Sequence, residues 1–332
     1  MSREAEAADY YQLHPDRILD AIESVGLFPE SGLLALNSYE NRVYQFRDDE
    51  QQRWVVKFYR PQRWPDEAII EEHSFCQTLH DNELPIVIPH AIDGKTLHYY
   101  DGYRFSLYPS QGGRHDDLNP EKLRQMGRLL GQLHRIGEAE SYQHRPELNP
   151  TTFGSQSLCQ LKSCPQIPAH IEHAYLAVAE QVVEQVDVIW SDIRPQPLVR
   201  LHGDCHSGNI LWVDDQPCLL DFDDSRMGPA VQDIWMFLSG DVEETRQQLE
   251  LLQEGYQTFN RFPQSHLRLI EPLRALRMLH HTAWIAKRWE DPAFPQAFGW
   301  FDSAGYWETQ VNGLKEQLSI LQQPCPYIDE WW

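Results

Sequence analysis

The chain has 332 residues, 28 Lys and Arg against 50 Asp and Glu, a formal charge of −22, and is 41% hydrophobic and 23% charged. That length holds about two domains or one large two-lobed unit, and the mixture excludes wholesale disorder, a collagen-like repeat and a disulfide-dense miniprotein. The acidity speaks against a broad nucleic-acid-binding face, which needs clustered Lys and Arg to displace phosphate counterions.

The first third reads as strands. Arg42 to Phe46 and Trp54 to Tyr59 are rich in β-branched and aromatic residues and flank the polar turn Asp48 to Gln52, a hairpin signature. Strand alternation puts Trp54, Val56 and Phe58 on one face and Val55, Lys57 and Tyr59 on the other. Asp66 to His80 lacks Gly and Pro and carries Ile69, Ile70, Phe75 and Leu79, which predicts a helix. Two further strands, Leu97 to Tyr100 and Tyr103 to Tyr108, are expected about the turn Asp101-Gly102.

From Pro109 the pattern changes to helices. Asn119-Pro120 is a start signal, and Leu123, Met126, Leu129, Leu130 and Leu133 recur at helical spacing until Gly137. A second helix is expected from Ala169 to Val188, and helical patterns rich in Trp dominate past Asp233. The expected fold is α+β and bilobal, with a small antiparallel-sheet lobe (residues 1–108) and a larger, mainly helical lobe (109–332).

No run approaches the roughly eighteen apolar residues of a membrane span. The start, Met1 to Tyr11, is acidic where an export signal is basic and then apolar. A cytoplasmic protein without a membrane segment is therefore expected. Six scattered cysteines (Cys76, Cys159, Cys164, Cys205, Cys218, Cys325) read as reduced thiols; Cys159 and Cys164 lack the second close pair a zinc site needs.

The segment Leu201 to Asp233 carries the chemistry. L-H-G-D-C-H-S-G-N leads into apolar Ile210 to Val213, a four-residue turn, and Cys218 to Leu220, which delivers Asp221 at a strand end. Asn209 and Asp221 are hard oxygen ligands suited to magnesium, which keeps water and substrate phosphates among its ligands. Asp204 is left to orient and deprotonate a hydroxyl. Metal, phosphate and hydroxyl together describe phosphoryl transfer. Asp204 and Asn209 also keep the spacing of the kinase catalytic loop, with Gly203 in place of its Arg. Asp233 is read as a support for that loop, and His202 and His206 as histidines bonded to loop backbone.

This H-G-D-x-H-x-G-N pattern, the following L-D-F-D and the later Asp233 resemble the aminoglycoside phosphotransferase and choline kinase superfamily. Within it, L-N-S-Y-E-N-R-V-Y-Q-F from Leu36, V-V-K-F-Y-R-P from Val55, E-E-H-S-F from Glu71 and D-P-A-F-P from Asp291 are similar to bacterial stress-response kinases of Ser/Thr specificity. The resemblance implies a protein-kinase-like fold with ATP and Mg2+ between the lobes near Tyr108 and Pro109. It makes Asp204 and Asp221 catalytic, Asn209 and Asp221 the metal ligands, Ser38 a contact in the nucleotide-covering loop, and Lys57 the grip on the α and β phosphates. The Lys57 partner is Glu72, or else Glu71. The Gly-rich loop of protein kinases is missing here, and Ser38 and Asn41 stand ready as side-chain donors in its place.

The implied activity is an ATP-dependent kinase acting as a monomer on a protein Ser/Thr hydroxyl. Two alternatives stay open: a small-molecule kinase for choline, homoserine or an aminoglycoside, and a catalytically silent nucleotide-binding pseudokinase. Trp284, Trp289, Trp300 and Trp307 are either packing residues or an aromatic cage for a quaternary ammonium such as choline.

Overall fold

The computed structural model describes residues 10–193 and 197–328; most of the acidic start lies outside them. Along the chain the elements begin with α1 (Pro15–Glu23), β1 (Leu34–Ala35), β2 (Arg42–Arg47), β3 (Arg53–Phe58) and α2 (Asp66–Asp81). Then come β4 (His98–Tyr100), β5 (Tyr103–Pro109), α3 (Pro120–Gly137), α4 (Gln156–Leu161) and α5 (Ala169–Asp192). The series continues with β6 (Val199–Arg200), β7 (Ile210–Val213), β8 (Gln216–Leu219), β9 (Met227–Gly228) and α6 (Val231–Trp235). It closes with α7 (Val242–Tyr256), α8 (Ile270–Lys287), α9 (Ala293–Ala297) and α10 (Ala304–Leu321).

These elements fall into two compact units. The first runs to Asp117 and takes in Tyr142–Arg145 and Ser207–Ser225; the second comprises Leu118–Ser141, Pro146–His206 and the chain from Arg226 onward. The sheet-then-helix order expected from the sequence is observed, and the fold is α+β.

The first unit is built on an antiparallel sheet of order β1-β2-β3-β5-β4. The hairpin β2–β3 pairs Val43 with Lys57 and Gln45 with Val55. Trp54, Val56 and Phe58 therefore turn to one face, where they join Phe46, Phe105, Leu107 and the Ile18 and Ile22 stripe of α1 in one core. Lys57 points from the opposite face. The β4–β5 turn uses Asp101 and Gly102, both at positive φ, as a tight two-residue hairpin requires.

The hairpin β7–β8 also belongs to this unit, and Leu219 O accepts from Val87 N at 3.0 Å. The sequence suggested a four-residue turn here. Two residues suffice, because Asp214 and Asp215 both adopt positive φ (48° and 60°), the left-handed geometry Asp tolerates, and Gln216 and Pro217 already pair in β8.

The second unit is helical. Asn119 caps α3, its side chain accepting from Lys122 N at 3.0 Å, with Pro120 at the first helical position. α3 lies against α7 so closely that a Cβ at Gly127 would stand 2.2 Å from Leu252 O, and one at Gly255 2.0 Å from Arg124 O. Other helices pack through aromatics, as where Tyr175 of α5 meets Trp307 of α10 edge-on at 5.0 Å. All six cysteines are free thiols, and among the described residues no helix is long and apolar enough to cross a membrane.

Candidate active site

Within the first unit, β3 delivers Lys57 and the end of β8 delivers Asp221. Lys57 Nζ stands 2.7 Å from Asp221 Oδ1 and 3.6 Å from Asp223 Oδ1, and its side chain is 7% exposed while that of Asp221 is 48% exposed. Burial pulls the ammonium's pKa down, but Asp221 and Asp223 outweigh it and hold the lysine charged, well above its ordinary value. Asp221 sits at φ 57°, ψ 76°, a left-handed conformation unusual outside Gly, and opens the 3-10 turn Phe222–Asp224.

Asp223 is the buried centre of a wider network. It forms an ion pair with Arg63, accepts from Asn41 Nδ2 at 2.8 Å, and its carboxyl is pushed up by burial but drawn below its usual range by Arg63 and Lys57. Asn41 is 2% exposed and its Oδ1 accepts from Arg60 N. Expected to offer a donor outward, it turns inward onto Asp223. Ser38 stays half-buried on the loop between β1 and β2.

The two adjacent glutamates of α2 divide their work. Glu71 accepts from the backbone N–H groups of Gln143 and His144 at 2.7 and 2.9 Å and so ties down the segment 142–145. Glu72 is buried and forms an ion pair with Arg145 at 3.6 Å, while Lys57 reaches it as a more distant charge. Burial raises the Glu72 carboxyl's pKa, and Lys57 and Arg145 offset part of that rise. Arg145, 5% exposed, also donates to Asp223 O at 2.8 Å and Ser225 O at 2.7 Å, and stacks 4.8 Å from the Trp64 ring centroid. The sequence gives no sign of Arg145, since it lies in a short connection without periodicity.

Asn209 precedes β7, and its backbone oxygen accepts from Leu220 N at 2.9 Å. The chain position next to Asp221 is thereby held against Asn209, an amide and a carboxylate on adjoining strand ends. One anionic and one neutral oxygen donor, on a hairpin with Asp221 half exposed, fit a hard cation that takes two protein ligands and completes its shell with water and phosphate. Among the described residues no group of three or more His, Cys, Asp and Glu is arranged to hold a metal alone.

Asp204 belongs to the second unit, on the loop Leu201–His206. Gly203 sits at φ +90°, open to Gly at little cost. The carboxylate of Asp233, fully buried on α6, accepts from His202 N and Gly203 N at 2.8 Å each and from His134 Nε2 at 3.1 Å. Gln232 Nε2 donates to Gly203 O at 3.2 Å. His202 Nδ1 accepts from Asp204 N at 3.3 Å, as the loop-bound reading expects. Arg277 of α8 forms an ion pair with Asp204 Oδ1 at 2.8 Å, and His206 Nε2 lies 3.4 Å from Oδ2. No sequence pattern pointed to Arg277. The tryptophans pack among other rings: Trp284 meets Phe294 and Phe298, Trp289 meets Phe301, and Trp300 meets Tyr306.

The first unit thus holds a buried lysine on a sheet with two carboxylates beside it, and the second an aspartate loop fixed by a buried acid on the next helix. Residues 33–298 match the model of the phosphotransferase enzyme family, and the chain belongs to that family. It is similar to stress response kinase A of Escherichia coli strain K12, 42% identical over 319 residues that span 96% of each chain. It is likewise similar to the serine/threonine protein kinase RdoA of Salmonella typhimurium strain LT2, 42% identical over 320 residues and 96% of each chain. Among solved structures, amicoumacin kinase hAmiN superposes with a TM-score of 0.74 at 17% identity, covering 94% of this chain and 96% of that one. A microcompartment-associated aminopropanol kinase gives 0.66 at 16% identity, over 92% and 95%.

Proposed function

We propose that the protein is a magnesium-dependent serine/threonine protein kinase of the stress-response type, active in the cytoplasm as a monomer, that transfers the γ-phosphate of ATP to a protein hydroxyl. The observation that carries this reading is the buried Lys57 held 2.7 Å from Asp221. A phosphate-binding cation and a metal-binding anion already face each other, so their desolvation is met before nucleotide arrives.

In this reading the first unit holds the nucleotide and the second presents the acceptor. Lys57 exchanges its bond to Asp221 for the α and β phosphates, with Glu72 keeping the local charge balanced, and Ser38 covers the phosphates from its loop. Asn41 acts one step removed, through Asp223. Asn209 and Asp221 hold magnesium, which when bound supplies positive charge to the phosphate oxygens. Asp204, five residues before Asn209, aims the acceptor hydroxyl and takes its proton late, as a loose transition state allows. The names of the relatives, and likeness along nearly the whole chain, favour a protein acceptor over a small molecule.

The test is radiolabelled ATP with magnesium and a generic Ser/Thr substrate. Asp221→Ala and Asp204→Asn should each lower transfer by on the order of 10³-fold, the second with nucleotide still bound. Normal turnover in either variant sinks the assignment. Transfer to choline, homoserine or an aminoglycoside but not to protein replaces the acceptor and leaves the site roles standing.

A further inference from the structure

The ion pair between Arg277 and Asp204 has no part in the phosphoryl transfer described above. The contact is a close charge pair without hydrogen-bond alignment. Arg277 Nη1 approaches Oδ1 at 2.8 Å, and that oxygen is shut off from solvent, although the Asp204 side chain as a whole is 20% exposed. His206 comes to the other oxygen, Oδ2, at 3.4 Å.

The rest of this face of α8 is occupied otherwise. Arg274 turns toward Glu271, 3.8 Å away, and lies over the Trp235 ring. His281, one turn beyond Arg277, stacks on Trp284; burial, with Arg277 adding to it and Asp204 opposing, pushes its pKa down to about 4, so it carries no charge at neutral pH.

We infer that Arg277 is a positioning residue for the catalytic carboxylate, engaging Oδ1 so that Oδ2 is the oxygen presented to the acceptor hydroxyl. The inference rests on the role proposed above for Asp204. A carboxylate on a loop rotates about its last bond, and its two oxygens are interchangeable until one is fixed. Arg277 removes that rotation. A guanidinium has donors and no acceptor, so the proton goes to the carboxylate. In the transfer step the acceptor O–H bond breaks, its proton passes to Oδ2, the hydroxyl oxygen bonds to the γ-phosphorus, and ADP departs with the electrons of the broken P–O bond. An arginine suits this position because its weakly hydrated guanidinium can lie against a buried carboxylate oxygen and keep its charge there.

Arg277→Ala, Arg277→Lys and Asp204→Asn, assayed with magnesium-ATP and a Ser/Thr substrate, test it. Arg277→Ala should lower kcat by about a hundredfold, the scale of misplacing a catalytic group, with KM for ATP within about twofold. Arg277→Lys should recover at least about a tenth of the parent rate, and millimolar guanidinium should restore part of the alanine variant's activity. Should Arg277→Ala not fold, Arg277→Gln takes its place, and equal rates for the Gln and Lys variants overturn the inference. So does a kcat for Arg277→Ala within about threefold of the parent while Asp204→Asn is inactive, an outcome that leaves the kinase reading intact. An active Asp204→Asn brings down that reading and this inference together.

Discussion

Asp221 and Asp204 are both carboxylates on loops, yet one is kept in place by charge and the other by shape. Around Asp221 the first unit gathers Lys57, Asp223, Arg63, Glu72 and Arg145, a largely buried network of opposite charges. Around Asp204 the second unit fixes the backbone instead, through two N–H groups on Asp233, a glycine at positive φ, and one ion pair added from α8. A charge network fails when one partner is removed. A backbone cradle fails when its acceptor geometry changes.

The largest effect that sharpens this contrast is expected at Arg145. Arg145→Ala strips Glu72 of its ion-pair partner and three backbone carbonyls, of Ala68, Asp223 and Ser225, of their donor, and should cost about 3–5 kcal/mol in urea unfolding, the scale of breaking a buried pair. A loss below about 1 kcal/mol would show that the network is not held by charge.

Asp233→Asn comes next. The amide retains one acceptor but turns an NH2 toward a backbone N–H, for about 2–3 kcal/mol of stability. It should lower kcat by about a hundredfold through displacement of Asp204, with KM for ATP unchanged, because nucleotide is assigned to the other unit. A rise in that KM matching the fall in kcat would erase the distinction between the two regions.

The smallest effect is a pH dependence in the first unit. Burial first, then Lys57 and Arg145, hold His73 neutral down to about 3, bonded to Tyr59 and Thr96. The unfolded chain takes up this proton near the ordinary histidine value of about 6.5. Stability contributed by the neutral ring is therefore full above that pH and falls as pH drops below it, by up to about 1.4 kcal/mol per unit. His73→Gln should lose roughly 1–2 kcal/mol less than the parent between pH 7 and 5 in urea titrations; parallel curves would refute it.

What the sequence made legible was local. The β2–β3 hairpin, the face carrying Lys57 and the Asn119 cap each sit within a few residues, or follow a period of 2 or 3.6. The contacts of Arg145, Arg277 and Asn41 were not, because their partners lie far along the chain and pairing of that kind leaves no periodic trace. Asn41 shows the limit well: its side chain has donors for a ligand, and only its burial against Asp223 shows that they are already engaged. The β7–β8 turn is two residues and not four because Pro217, a residue type rare inside strands, pairs with Trp212 within β8.

The pairing of Lys57 with Asp221 spans 164 residues. During synthesis at roughly 5–20 residues per second, this lysine would leave the ribosome something like ten to thirty seconds ahead of its counter-ion. The nascent strand must meanwhile leave that ammonium in water or lend it a temporary anion, so closure of the N-terminal half is timed by translation of a hairpin two-thirds of the way along the message.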